Sequence, residues 1–184
     1  MERMPKILPN QREVFLNNAK KILKKEGCGA LSIRRLANDS GVATGTLYNY
    51  FRSKEDLIAA VMLDDWKKTL KAMQIRSAEA PGFAEGLTGI RQCIAEFVKK
   101  YRPLWMQYIR GGGSGKVIDD HHEQLIAQIA GTISALISRT GDEGLSDLSL
   151  ILAETVLTAA QRQEITDSTL RLLAERLNGK EKRT

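Results

Sequence analysis

The sequence predicts an all-α chain, with a small helix-turn-helix head ahead of a larger helical domain. Apolar residues recur at helical spacing from Phe15 to Leu177, and no segment alternates convincingly with the period of a strand. The charge is uneven. Residues 1–60 hold 11 Lys/Arg against 6 Asp/Glu, a balance of +5, whereas residues 61–184 hold 17 against 16. The first third therefore suits a polyanionic partner and the rest does not, although a basic solvated face with no partner has the same composition. At 184 residues there is room for one ordinary domain or a small module fused to a medium one. The content of 42% hydrophobic and 27% charged residues is that of a globular chain, and 4 prolines are too few for a collagen-like or mucin-like one. No apolar run approaches the roughly 18 residues of a membrane span. The start, Met1 to Lys6, is not followed by the apolar core of a signal peptide. Cys28 and Cys93 do not make a disulfide framework, so a reducing cytoplasm is expected, with no membrane partner.

Between Pro9 and Gly27, Phe15, Ala19, Ile22 and Leu23 mark one helical face. Lys20, Lys21, Lys24 and Lys25 crowd the last turns of this helix, where positive charge suits the dipole. Ser32 is a good N-cap for a very short helix carrying Ile33, Leu36 and Ala37, which Gly41 stops. A second short segment, Thr44 to Tyr50, has one strongly apolar inward residue, Leu47. Ser53-Lys54-Glu55-Asp56 reads as a capping box with Asp in place of Glu/Gln. The long helix that follows carries Ile58, Val61, Met62, Trp66, Leu70 and Met73, and runs to the Ala80-Pro81-Gly82 break. Ile90, Ile94, Phe97, Val98 and Tyr101 mark a helix expected to end before Pro103, with Leu104 to Arg110 as a short extra one. Gly111 to Gly115 reads as a flexible connector. Leu125 to Ile137 marks another long helix stopped near Gly141. Leu148, Ile151, Leu152, Val156 and Leu157 sit in a segment apolar on most sides, which requires burial on more than one face. Ile165, Leu170, Leu173 and Leu177 close the pattern before a basic tail.

Two short helices joined by a glycine-bearing turn are the physical form of a unit that reads DNA. The first braces the second, and the second places its N-terminal side chains in the major groove. Thr44, Gly45, Thr46 and Asn49 are small or polar enough to meet base edges, and Leu47 and Phe51 are assigned to the core. Tyr48, Tyr50 and Lys54 can donate to phosphates. Ser32 can do the same at the start of the supporting helix. Arg34 can reach a guanine edge bidentately. The tyrosines also suit packing, Lys54 also suits an exposed helix start, and Arg35 reads as solvated.

These residues carry a resemblance. Leu31-Ser32-Ile33-Arg34-Arg35-Leu36-Ala37, Ser40-Gly41-Val42, Gly45-Thr46-Leu47-Tyr48-Asn49-Tyr50-Phe51 and Ser53-Lys54-Glu55-Asp56-Leu57 together resemble the TetR family of bacterial transcriptional regulators. Thr46 to Leu57 is the most specific part, and the likeness covers about residues 10–60. It implies a head over residues 1–53 and an effector-binding, dimerising domain over residues 54–184. It also implies a homodimer on a palindromic double-stranded operator, acting as a repressor released by a small-molecule effector. By position it places Arg34, Thr44, Gly45, Thr46 and Asn49 near bases, and Ser32, Tyr48, Tyr50 and Lys54 near phosphates. The long helix from Lys54 would link pocket to head. The pocket it requires falls among Trp66, Met73, Phe97, Tyr101, Trp105, Met106 and Tyr108, each of which packing also explains. The dimer surface is expected on the last two long helices, about Leu148 to Leu177.

Other chemistry finds little support. The Gly111-to-Lys116 run lacks the spacing of a phosphate loop, and Val117 stands where that loop needs Ser/Thr. Asp119, His122 and Glu123 share a helical face, but acidic residues at a helix start also suit the dipole and no ligand set is complete, so no metal or other cofactor is expected. Cys28 and Cys93 read as inert thiols before a redox pair. No nucleophile–base pairing is signalled, so an enzyme is not expected. The rival readings are an activator without an inducer, a helical protein-interaction module and an enzyme built into the helical pocket. The basic head argues against the interaction module.

Overall fold

The computed structural model describes residues 9–110, 115–162, 164–177 and 179; for residues 9, 105, 107–110 and 115–121 it describes the backbone. The helices among them are α1 (Pro9–Glu26), α2 (Ile33–Asp39), α3 (Thr44–Tyr48), α4 (Lys54–Glu79), α5 (Phe83–Arg110), α6 (Gly115–Thr140), α7 (Ser149–Gln161) and α8 (Asp167–Leu177). Short 3₁₀ turns, Cys28–Ala30 and Glu143–Leu148, precede α2 and α7. No described residue lies in a strand. No helix is long and apolar enough to cross a membrane, among the described residues. The chain forms two compact units, Met1–Asp65 and Trp66–Thr184, which divide within α4.

The first unit closes over Phe15, Ala19 and Ile22 of α1, Leu31, Leu36 and Ala37, Leu47, Phe51, and Leu57 and Val61 of α4, all buried. The apolar periodicity of the sequence is thus its core. Lys20 is more than a dipole-matched lysine: its ammonium pairs with both Asp64 and Asp65. The Ser53 cap forms, its Oγ accepting from the Asp56 amide at 3.1 Å. The Asp56 carboxylate reaches back to the amide of Arg52, one residue before the cap, at 2.9 Å.

The second unit packs α5, α6, α7 and α8 around Leu87, Ile90, Ile94, Ile129, Ile133, Leu152, Val156 and Leu170. Gly86 lets two helices approach closely: a Cβ there would lie 2.5 Å from Cδ1 of Leu136. α5 does not stop at Pro103, as the sequence suggested, but continues to Arg110. Proline removes one amide donor and crowds the preceding turn. Here Pro103 is exposed, and Tyr101 and Leu104 on either side are buried, so packing holds the helix through it. The expected connector also shrinks, since Gly115, Lys116 and Val117 begin α6. Gly111 to Ser114, and the basic tail apart from Gly179, lie outside the described residues.

The C-terminal helices are only partly covered. Leu152, Ala153, Val156 and Leu157 of α7 and Leu170 and Ala174 of α8 are buried. Leu150, Ile151 and Leu172 are more than half exposed, and Leu173 and Leu177 also reach solvent.

A polar network ties α8 to α5. Asp167, the first residue of α8, accepts from Arg91 Nε at 2.5 Å and from Gln92 Nε2 at 2.8 Å. Burial pushes the Asp167 carboxyl up, but these hydrogen bonds outweigh it and hold it below the usual carboxylate range. A lowered folded pKa contributes stability above the unfolded value and loses it as pH falls through the folded one. Asp167→Asn should cost about 0.5–1 kcal/mol at neutral pH, discounted for its partial exposure. Thermal melts should show the gap between Asp167→Asn and the parent closing below about pH 4.

Candidate nucleic-acid interface

The candidate site is built on α2, α3 and the turn between them. α2 starts at Ser32, whose Oγ accepts from the Arg35 amide at 3.1 Å. It ends on Gly41, at φ 67, a left-handed conformation that glycine adopts without strain. The Gly41 amide bonds the Asn38 carbonyl at 3.1 Å and the Val42 amide bonds the Ala37 carbonyl at 3.0 Å. This pair of bonds is a Schellman stop, and it turns the chain directly into α3. Asn18 Nδ2 of α1 donates to Ser40 Oγ at 3.1 Å, which pins the turn from behind.

α3 is five residues long, and Leu47 is its one buried residue. Around that anchor Thr44, Gly45, Tyr48 and Asn49 are exposed and Thr46 is half-buried. Tyr48 is 54% exposed, so its hydroxyl is open to a partner. Beside them lies a surface concavity of about 460 Å³, lined by Ser32, Arg34, Arg35, Asn38, Val42 and Thr44. Three of the residues singled out from sequence, Ser32, Arg34 and Thr44, meet there. Ser32 spends its oxygen as an acceptor, which leaves its hydroxyl proton able to donate outward.

Tyr50 and Lys54, expected as phosphate donors, each have a partner within the head. The Tyr50 hydroxyl donates to Gln11 Oε1 at 3.0 Å, and its ring meets Phe15 edge-on at 5.2 Å. A tyrosine has one proton to give, and a phosphate oxygen can only accept, so the two partners compete. Lys54 Nζ donates to the Cys28 carbonyl at 2.9 Å, which holds the 3₁₀ turn onto the start of α4. Sequence position could not supply the tertiary partners of these two residues.

Arg35 is not simply solvated. It pairs with Asp39 within α2 and with Glu26 at the end of α1. The bond and charge of Asp39, with Glu26 adding to both, raise its pKa further above its ordinary value. The Arg35–Asp39 spacing of four was legible in the sequence; the reach to Glu26 was not.

Of the residues grouped from sequence as an effector pocket, three are linked by ring contacts. Trp66, Phe97 and Tyr101 form an aromatic row, with centroid separations of 5.2 and 4.8 Å. Trp66 Nε1 donates to Gln128 Oε1 at 2.6 Å. Met73 is fully buried in the core, whereas Met106 is 47% exposed. The side chains of Trp105 and Tyr108 lie outside the described residues, as does that of Asp119. His122 Nε2 lies 3.4 Å from Glu154 Oε1. No group of three metal-ligating side chains occurs among the described residues. Burial pushes the thiols of Cys28 and Cys93 up, which disfavours the reactive thiolate.

Residues 15–61 match the family model of bacterial regulatory proteins, tetR family. The HTH-type transcriptional regulator UidR of Escherichia coli K12 is 33% identical over 70 residues, covering 38% of this chain and 36% of UidR. The HTH-type transcriptional repressor KstR2 of Mycolicibacterium smegmatis is 30% identical over 92 residues, covering 49% of this chain and 44% of that protein. The matched stretch thus spans about a third of UidR's length. Similarity of fold extends further. A transcriptional regulator from Cytophaga hutchinsonii superposes with a TM-score of 0.67 at 15% identity, over 92% of this chain and 95% of that one. Salmonella enterica GusR does so with a TM-score of 0.63 at 19% identity, over 97% and 100%.

Lys54→Met, which keeps the apolar stem but removes the ammonium, should destabilise the head by about 1–2 kcal/mol. Chemical denaturation followed by circular dichroism measures the loss, and a variant as stable as the parent would refute the bracing role.

Proposed function

We propose that the chain is a TetR-family repressor that binds a palindromic DNA operator as a homodimer. The observation that carries this reading is the exposed polar ridge of α3 over buried Leu47, beside the concavity containing Ser32 and Arg34. A short helix of this kind offers side chains to the major groove while the core fixes its depth. Arg34, Thr44, Gly45, Thr46 and Asn49 are read as the base-facing set. Ser32 and Tyr48 are read as the outward phosphate donors, with Tyr50 and Lys54 chiefly bracing the head. A cytoplasmic location follows from the same reading.

Dimerisation is supported by the exposed apolar residues of α7 and α8, since Leu150, Ile151 and Leu172 present surface that a second copy would cover. Two heads on one dimer then address two half-sites. Release by a small-molecule effector is read as a population shift. A ligand that binds better to one spacing of the two recognition helices draws the dimer toward it, away from the spacing that fits adjacent grooves. The aromatic row Trp66, Phe97 and Tyr101, with the Gln128 amide beside it, is the proposed wall of the effector site.

Selection of bound duplexes from a random pool by the full chain tests the reading, and enrichment of a symmetric sequence is the expected result. Arg34→Ala should cost about 1–3 kcal/mol on that sequence and relax preference at one base per half-site. An unchanged preference would remove Arg34 from the base-reading set. Ile151→Glu combined with Leu172→Glu should yield monomers by light scattering, and a persisting dimer would move the interface elsewhere.

A further inference from the structure

Arg35 lines the same concavity as Ser32, Arg34 and Thr44, yet its charge is already committed. Its Nε donates to Asp39 Oδ2 at 2.9 Å, and Nη1 and Nη2 reach the Glu26 carboxylate at 3.4 and 3.1 Å. These bonds use three of the five donors of a guanidinium, so each Nη keeps one hydrogen beyond them.

Helix stability gives little reason for this arrangement. Glu26 ends α1 and Asp39 ends α2, where the negative end of each dipole disfavours a carboxylate. Arg35 to Asp39 runs cation first at a spacing of four, the weaker order. The side chains of Arg35, Glu26 and Asp39 are 42%, 44% and 34% exposed, and ion pairs this open to water add little to folding. What the carboxylates do achieve is charge cancellation. The two carboxylates equal in number the two cations that line the concavity, Arg34 and Arg35.

We propose that Arg35 is a further phosphate-binding residue of the head, and that Glu26 and Asp39 act as an electrostatic brake on it. Duplex DNA must compete with two carboxylates for this guanidinium. When a phosphate arrives, the guanidinium exchanges carboxylate for phosphate oxygens, a like-for-like trade of bidentate partners. The released carboxylates then face the polyanion, so the net gain on arbitrary DNA is small. Base contacts must supply the difference, so the brake weakens binding to every duplex alike and only a sequence that adds base contacts stays tightly held. The inference rests on the DNA-binding reading above.

The test measures binding of the full-length chain to a mixed-sequence duplex by fluorescence anisotropy across a salt series. Asp39→Asn should tighten this binding about two- to fivefold, the range an exposed ion pair commands. Arg35→Gln should flatten the salt dependence by about one phosphate. Combined with Arg35→Gln, Asp39→Asn should lose most of its tightening. A salt slope unaltered by Arg35→Gln overturns the proposal, as does an Asp39→Asn effect of equal size with and without Arg35. If Arg35→Gln fails to fold, Asp39→Asn decides alone, because it relieves a conflict with the helix dipole, and unchanged affinity then overturns the brake. A parent chain that ignores duplexes at low salt sinks the DNA-binding reading itself. A parent that binds while its Asp39 and Arg35 variants match it sinks only the brake.

Discussion

The head depends on the burial of one leucine. A helix of five residues has too few internal hydrogen bonds to persist on its own. α3 exists because Leu47 is inserted among the buried residues of the first unit, which include Phe15, Leu36 and Phe51. Around Leu47, Thr44, Gly45 and Tyr48 of α3 are exposed, so the buried anchor and the proposed recognition surface share the same short segment. Losing the side chain beyond Cβ would remove a fully buried isopropyl group, a change that costs about 2–5 kcal/mol in a packed core. The turn before it imposes the complementary constraint. Because Gly41 occupies a left-handed conformation and two amides bond back into α2, the approach to α3 is fixed before α3 begins.

Much of this was legible in the residues alone. Helical periodicity located the helices and separated buried Leu36, Leu47 and Phe51 from exposed Thr44 and Asn49, because burial in a small helical unit follows the 3.6-residue period. Caps and glycine stops were readable because they are local: the Ser32 and Ser53 hydroxyls both cap as their positions suggested. Pro103 misled for the opposite reason. Its local penalty is real, but buried Tyr101 and Leu104 on either side outweigh it, and no window of sequence reports that packing.

The site was legible in its positions and less so in its partners. Residue type shows that Tyr50 and Lys54 can donate a hydrogen bond, but not that Gln11 and the Cys28 carbonyl, 39 and 26 residues away, already accept it. The same limit hid the Glu26–Arg35 pair and the Lys20–Asp64–Asp65 cluster, whose members are adjacent only once the helices pack. The proposed effector region was the least legible. Large side chains at helical spacing signal a core and a cavity equally well, and the contacts of Trp66 with Phe97 and of Phe97 with Tyr101 emerge from ring geometry.

The Lys20 cluster has a mechanical consequence. Asp64 and Asp65 are successive residues of α4, so their side chains leave the helix about 100° apart around its axis. One ammonium nevertheless engages both. Spinning α4 about its long axis in either sense draws one carboxylate away from Lys20. Within the first unit, the cluster therefore sets the rotation of α4 about its own axis.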